Sequence, residues 1–421
     1  MKKIYFVTAL LIFGTTAFSQ SLDDVNGMLG KQKYKEAKSA IDKLLTDPKN
    51  AEKPDAYYFK GRVYNAYSYD TSLSKQERST LKLDAFEAFK KNQQLDAKEI
   101  RLKFENYGSF LDLYGGLYDL GAAFFNAKQF AEAATAFKNA HDVEEYILSK
   151  GYTYNQITLH PLDTALVLNI AIAYSQAKDD DAAVPFFRKL ADANVTGPNN
   201  LEVYEFLVDY YSKKKDKANF DQLIQKGRSL YPTEGYWNDM ELKEVSDAGD
   251  RDALYAKYEE LIAKKPSDFN LTYNYAIELY NSIYSQDGVR PKDMAAAKDK
   301  LTSALKAAIA NDKGIEANNL MVNHLYNCAA DFSTNASTIK GNKPEDIKKK
   351  AELKASANKK MDECIPYAEA SVKYYEGQAS LKTSQKASFQ NILQYLSDMY
   401  KTKGDAKKAA EYDKKKSDIK F

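Results

Sequence analysis

A small residue, a bulky apolar residue four positions on, and a small or apolar residue three further recur along this chain. The clear copies are Ala37/Ile41/Leu44, Ala133/Phe137/Ala140, Ala183/Phe187/Leu190 and Ala297/Leu301/Ala304; looser ones are Phe220/Ile224/Gly227 and Leu254/Tyr258/Leu261. Offsets of four and then three place each triplet on one face of a helix. Their return at helix-hairpin lengths restricts the chain to a stack of similar units, each burying its apolar face on its neighbours. A chain of 421 residues built otherwise would divide into roughly two or three separate cores.

Composition suits such a stack. Ten prolines and eighteen glycines are few, as long helices with short turns require, while thirty-two tyrosines and twenty phenylalanines supply large knobs for Ala-sized holes. The 61 basic and 59 acidic residues nearly cancel, so no global field favours nucleic acid or anionic lipid.

The first nineteen residues read as a signal peptide. Lys2 and Lys3 give a positive start, residues 4–13 are an apolar run without charge, and Ala17-Phe18-Ser19 puts small residues where a signal peptidase reads. The run falls well short of the ~20 residues that span a bilayer, so no integral membrane segment is expected after cleavage. Cleavage after Ser19 would leave Gln20 as the new terminus, and with no Cys there the protein is not expected to be a lipoprotein. The leader has a bacterial look, which places the mature chain in the periplasm or outside the cell. Lacking a β-rich C-terminal module to serve as a secretion tag, it is expected in the periplasm.

The clearest unit covers residues 117–143. Leu120-Gly121 and Phe124 line the inner face of a first helix, residues 126–129 make a turn, and Phe130, Ala133, Phe137 and Ala140 line a second helix. Gly121 matters because a side chain there would hold the helices apart. This unit resembles the tetratricopeptide repeat, with its Leu-Gly step, its aromatic three positions on, its short turn, and its Ala, aromatic, Ala second helix. Weaker matches open at Gly61/Tyr64, Ile170-Ala171/Tyr174, Leu207-Val208/Tyr211 and Ala276-Ile277/Tyr280. From position 171 to 208 is 37 residues and from 208 to 277 is 69, close to one and two multiples of the ~34-residue period.

The resemblance implies an all-α fold: a right-handed α-α superhelical solenoid of about eight helix hairpins forming a single array over residues 20–421. Its strongest repeats lie at about 110–310. An irregular repeat follows at about 315–380 and a C-terminal repeat or cap at about 385–421. Within the irregular part, residues 332–344 read as a polar loop and residues 345–375 as a long helix that Pro366 should kink or split.

Chemistry is sparse. His141, His160 and His324 fall in three different units, and only the pairs His141/Glu145 and His324/Cys328 have helical ligand spacing, too few groups for a metal. His141 and His160 read as surface or capping residues. There is no His-Glu-x-x-His, no G-x-S-x-G and no phosphate-cradling glycine loop, so neither catalytic residue, metal nor cofactor is expected. Cys328 and Cys364 are open to two readings: a disulfide clipping the penultimate repeat, or two buried free thiols. The lysine-rich residues 348–360 are interrupted or flanked by Glu345, Asp346, Glu352 and Asp362, as on a solvated helix face.

Tetratricopeptide arrays hold partner segments on a concave face lined by first helices, and the resemblance implies the same here. Projecting the first helices away from their packed positions gives Tyr58, Arg62, Asn65, Tyr118, Phe125, Asn126, Gln176, Glu205, Asp209, Lys213, Asn274, Glu278 and Asn281 as the expected face. The Lys and Asn pair with which some members clamp a C-terminal carboxylate is missing, because Arg62, Ala122, Ile172, Asp209 and Glu278 occupy the Asn position. The first expectation is a non-catalytic scaffold or adaptor for envelope proteins or peptides, with no nucleic-acid partner and no oligomeric state specified. A binder of glycan or another small ligand in an aromatic-lined groove is the second, and a hydrolase with an unrecognised site the third.

Overall fold

The computed structural model describes residues 21–154, 157–285, 290–311 and 314–420. The expected signal peptide, its cleavage point and Gly288 lie outside the described residues. Among those described, the chain forms twenty helices and no strand, only an isolated bridge between Tyr154 and Ile157. The fold is all-α.

Contacts divide the chain into two compact units, one ending at Glu234 and the other starting at Gly235. The first contains five helix hairpins: α1 (Leu22–Gly30) with α2 (Tyr34–Leu45), α4 (Pro54–Tyr67) with α5 (Lys75–Leu95), α7 (Gly108–Asn126) with α8 (Phe130–Lys150), α9 (Thr164–Gln176) with α10 (Asp180–Asp192), and α11 (Leu201–Lys214) with α12 (Lys217–Leu230). Two short helices, α3 (Pro48–Ala51) and α6 (Ile100–Phe104), lie between hairpins. The second unit contains four: α13 (Tyr236–Asp247) with α14 (Arg251–Lys264), α15 (Phe269–Tyr284) with α16 (Met294–Asn311), α17 (Ile315–Thr338) with α18 (Pro344–Glu376), and α19 (Thr383–Thr402) with α20 (Ala406–Ser417).

The recurring triplets are the core. Ala133, Phe137 and Ala140 are buried, as are Ala183, Phe187 and Leu190, and Ala297, Leu301 and Ala304. The Leu-Gly step has the role its size suggests. A Cβ on Gly121 would stand 2.5 Å from the Phe137 ring, and one on Gly61 would stand 2.5 Å from the Phe89 ring. In both hairpins a bare helix surface admits an aromatic knob, which makes them tetratricopeptide-like in packing as well as in sequence.

The turns repeat too. In six hairpins a left-handed residue stands two positions before the second helix: Gln32, Lys128, Lys178 and Lys215 in the first unit, Gly249 and Gly404 in the second. Four of these residues precede an aspartate that caps the second helix. Asp179, Asp216, Asp250 and Asp405 accept from the backbone N–H of Ala182, Asn219, Ala253 and Lys408 respectively. In five of the six the amide one past the left-handed residue returns to the first helix, as in Asp179 N to Tyr174 O at 3.0 Å and Asp405 N to Tyr400 O at 2.9 Å. This closes the helix end in the Schellman manner.

Two expectations about the irregular repeat change. Helix α17 runs on to Thr338, so the polar residues 332–338 are helical and the link to α18 is short. Helix α18 continues through Pro366, because the long α17 packed alongside holds its course where the proline removes one backbone hydrogen bond. Helix α13 went unread in the sequence: its buried Trp237, Met240 and Leu242 lack the four-then-three offset.

Candidate functional site

The expected face residues differ in fate. Asn126, Gln176, Asp209, Lys213, Asn274, Glu278 and Asn281 are exposed, while Arg62, Tyr118, Phe125 and Glu205 are half-buried. Tyr58 and Asn65 are largely buried, at 7% and 8% exposed. Tyr58 packs edge-on to Phe59 and Phe89 and donates its hydroxyl to Glu105 Oε2 at 3.1 Å. Both residues lie on α4, where the neighbouring α7 and the α6 segment close over positions that a single helix projection leaves open. Tyr118 accepts from Asn169 Nδ2 at 3.1 Å, and Phe125 meets Phe130 edge-on at 5.2 Å. Burial and the nearby Glu202, Glu234 and Asp209 raise the Glu205 carboxyl above its ordinary range.

Of the thirteen, the structure gathers Arg62 and Asn65 into one groove of about 410 Å³, walled by Leu29, Tyr34, Ala66, Tyr69, Ser109 and Asp112. A polar network anchored on buried Lys82 and Asn65 forms its floor. Lys82, on α5 and 1% exposed, donates from Nζ to Asn65 Oδ1 at 2.9 Å and lies 4.1 Å from the centre of the Tyr69 ring. Asn65 Nδ2 donates to Asp112 Oδ2 at 2.5 Å, and the Tyr69 hydroxyl donates to Asp112 Oδ1 at 2.7 Å. Room for the lysine comes from Gly116, whose missing side chain would collide with Lys82 Cε and Nζ. Burial pulls the Lys82 ammonium down to about 8, with Asp112 and Asp119 opposing the shift and Arg78 adding to it. The network fixes the amide of Asn65 and the carboxylate of Asp112 in the groove wall before any ligand arrives.

The sequence carried a signal for this floor that single-helix reading passed over. Lys82 stands three before Ala85 and seven before Phe89, on the apolar face of its helix, where an unpaired cation would be costly. His141 is a similar case. Expected at the surface or in a cap, it lies within α8 and is 6% exposed, with Nδ1 3.1 Å from Glu144 Oε2 and Nε2 3.2 Å from Glu145 Oε1. It lies four residues after Phe137, and so on the packed side of α8. His160 is exposed.

A second groove, of about 610 Å³, lies between α15 and α17 in the other unit. Tyr280, Asn281, Tyr284, Asn327, Ala330 and Asp331 line it. Behind it sits His324, 1% exposed, in a chain of hydrogen bonds whose directions follow from one another. Thr302 Oγ1 gives its proton to Lys298 O at 2.9 Å, so it accepts from His324 Nε2–H, also at 2.9 Å. That leaves Nδ1 as acceptor for the Tyr284 hydroxyl at 2.9 Å. Burial, with the charges of Lys298 and Lys360, lowers His324 to about 4, which keeps the ring neutral.

Cys328 Sγ is 3.5 Å from the Tyr284 hydroxyl oxygen, and Cys364 Sγ is 3.5 Å from Val322 O. Both cysteines are buried free thiols, and burial pushes Cys364 up to about 12. Among the described residues no group of three or more His, Cys, Asp or Glu could hold a metal ion, and no helix is long and apolar enough to cross a membrane.

No protein-family model matches the chain, and no curated protein matches it. Similar chains do occur among solved structures. One belongs to Naa15/Naa10 bound to HypK-THB, with 12% identity and a TM-score of 0.31; the match covers 93% of this chain and 57% of that one, so this chain spans little more than half its length. The yeast Tom70 crystal structure is 14% identical with a TM-score of 0.21, covering 94% of this chain and 91% of the other. An IFIT1 monomeric mutant with Gppp-AAAA is 13% identical with a TM-score of 0.21, covering 95% and 90%. At such scores the fold rests on the helices and packing described above.

Proposed function

We propose that this chain is a non-catalytic protein-interaction scaffold of a bacterial cell envelope, exported by the leader at residues 1–19 and binding partner segments along its first helices. The groove over Lys82 carries the reading. Arg62, Tyr69, Ser109 and Asp112 offer both charge signs, a hydroxyl and an aromatic face. Asn65 and Asp112 are already held by Lys82, Tyr69 and each other, so ordering them for a bound segment would cost little further entropy.

Site-specific photo-crosslinking tests it. A benzophenone side chain at Arg62 or Ser109 should capture discrete envelope partners, while one at the exposed Thr135 of α8 should not. Asp112→Lys should abolish the captures. Equal capture at groove and control positions would overturn the scaffold reading. Export is tested separately, by mass spectrometry of the mature chain, which should begin at Gln20.

The groove between α15 and α17 supports a second reading, a binder of glycan or a related polyol. Tyr280 and Tyr284 supply stacking surfaces, with ring centres 4.8 Å apart, and Asn281, Asn327 and Asp331 supply the paired acceptors and donors that vicinal hydroxyls take. A sugar that raises the melting temperature of the wild type but not of Asn281→Ala would favour it.

A further inference from the structure

We infer that α6 and its flanks form a contact for an anionic phospholipid surface. The segment between α5 and α7 turns one apolar residue inward and two outward. Leu102 is fully buried, while Ile100 and Phe104, four apart and so on one helical face, are 63% and 95% exposed. Leu95, at the end of α5, adds a partly exposed apolar side chain at 36%.

The knob is built. Glu99, Asn106 and Tyr107 take left-handed conformations at φ 52°, 50° and 55°, and none is glycine. Such strain persists only where the surroundings impose it. Here they do: the Tyr107 ring stacks on Tyr152 at 3.7 Å, its hydroxyl donates to Glu99 Oε2 at 2.8 Å, and Asp96 accepts from the backbone of Lys98 and of Ile100, each at 3.0 Å.

The charges are sorted. All three carboxylates of the segment are turned to the protein: Asp96 caps the turn, Glu99 receives Tyr107 and Glu105 receives Tyr58. Arg101 is engaged with Asp55, Nε to Oδ1 at 2.7 Å and Nη2 to Oδ2 at 2.8 Å. Lys98 and Lys103 remain exposed, and neither forms an ion pair among the described residues. The outward face thus presents two apolar side chains beside two uncommitted ammonium groups. A side chain as exposed as Phe104 has no walls of its own, so its occupant must supply the apolar medium. A lipid interface does so without a matching pocket, and its anionic headgroups complement the lysines. The chain-wide charge balance leaves this attraction local to α6.

Flotation with vesicles tests the inference, using the chain from Gln20 so that the leader contributes nothing. Wild type should float with phosphatidylglycerol/phosphatidylethanolamine vesicles, should bind phosphatidylcholine vesicles at least about tenfold more weakly, and should be released by salt. Ile100→Ser/Phe104→Ser should weaken binding by about tenfold or more, and Lys98→Ala/Lys103→Ala by about tenfold at low salt. Far-UV circular dichroism and the melting temperature should stay unchanged in both variants, since all four side chains are exposed. As a direct readout, Phe104→Trp should shift its emission to the blue on anionic vesicles and be quenched by brominated acyl chains. Absence of flotation, or flotation that survives the double serine variant, overturns the inference. So does a wild-type dimer in analytical ultracentrifugation that Phe104→Ser dissolves, because a second copy would then cover the knob.

Discussion

Two glycines of one helix should answer oppositely to the same substitution. Gly115 and Gly121 both lie in α7, and an alanine should gain up to ~1 kcal/mol of helix propensity at either position. At Gly115 nothing stands within 4 Å of an added Cβ, so Gly115→Ala should keep that gain. At Gly121 the added Cβ would meet Phe137 Cδ1 at 2.5 Å, about 1 Å inside ordinary contact, against a buried ring with no room to retreat. Overpacking of this kind costs ~1–3 kcal/mol, so Gly121→Ala should lose about 1–2 kcal/mol net. With a urea slope of ~2–3 kcal/mol/M, the midpoint should fall by about half a molar while that of Gly115→Ala rises by a few tenths. Urea titration followed at 222 nm measures both. Phe137→Leu should recover part of the loss in the Gly121→Ala background, giving a favourable coupling in the double-mutant cycle. If both alanines shift the midpoint the same way, or Phe137→Leu fails to couple, the knob-in-hole account of the Leu-Gly step is wrong.

The repeated turn makes a second pair: Gly404→Ala should cost ~1–2 kcal/mol at φ +81°, while Lys215→Gly at φ 58° should be neutral or gain up to ~1 kcal/mol, both read by urea midpoints. Lys82 should impose an alkaline signature. Its folded pKa of about 8 lies below the unfolded value, so the unfolded chain binds more protons between pH 8 and about 10.5; stability should rise across that window by roughly 3 kcal/mol, and Lys82→Met, compared by urea midpoints at pH 7.5 and 10, should lack the rise. His324 should act on the acid side. Held at about 4 in the folded state, it leaves stability full above about pH 6.5 and withdraws up to roughly 3 kcal/mol as pH falls towards 4. His324→Gln should flatten that acid slope, and an NMR titration of the ring should place its midpoint near 4; a midpoint near 6.5 would contradict the buried neutral ring.

The hairpins were legible because a helix hairpin is a local object. Leu120-Gly121, Phe124, Ala133, Phe137 and Ala140 are close in sequence, and their offsets alone select the face that each helix buries. The turn at residues 126–129 was legible for the same reason, whereas the left-handed turns at Lys178 and Lys215 were not, since lysine gives no sign that it will adopt that conformation. Helix α13 was missed because its buried residues keep no simple offset, and the length of α17 because polar residues 332–338 extend a helix whose partner supports it.

The face was harder to read. Helix projection separates the side packed on a hairpin partner from the rest, but the next hairpin takes a further share. Arg62, Asn65 and Asn281 remain at groove walls, while Tyr58 passes under α6. Lys82, Asp112 and Tyr69 come from three different stretches of chain, and nothing local ties them together. The sequence by itself determined most of the helices, the pairing of the regular hairpins and the aromatic-in-glycine packing, because these rest on interactions within about forty residues. Only the tertiary structure decided which free faces stay free, where a lysine and a histidine are buried, and that Ile100 and Phe104 stand outward, because burial is set by neighbouring elements whose approach no local periodicity records.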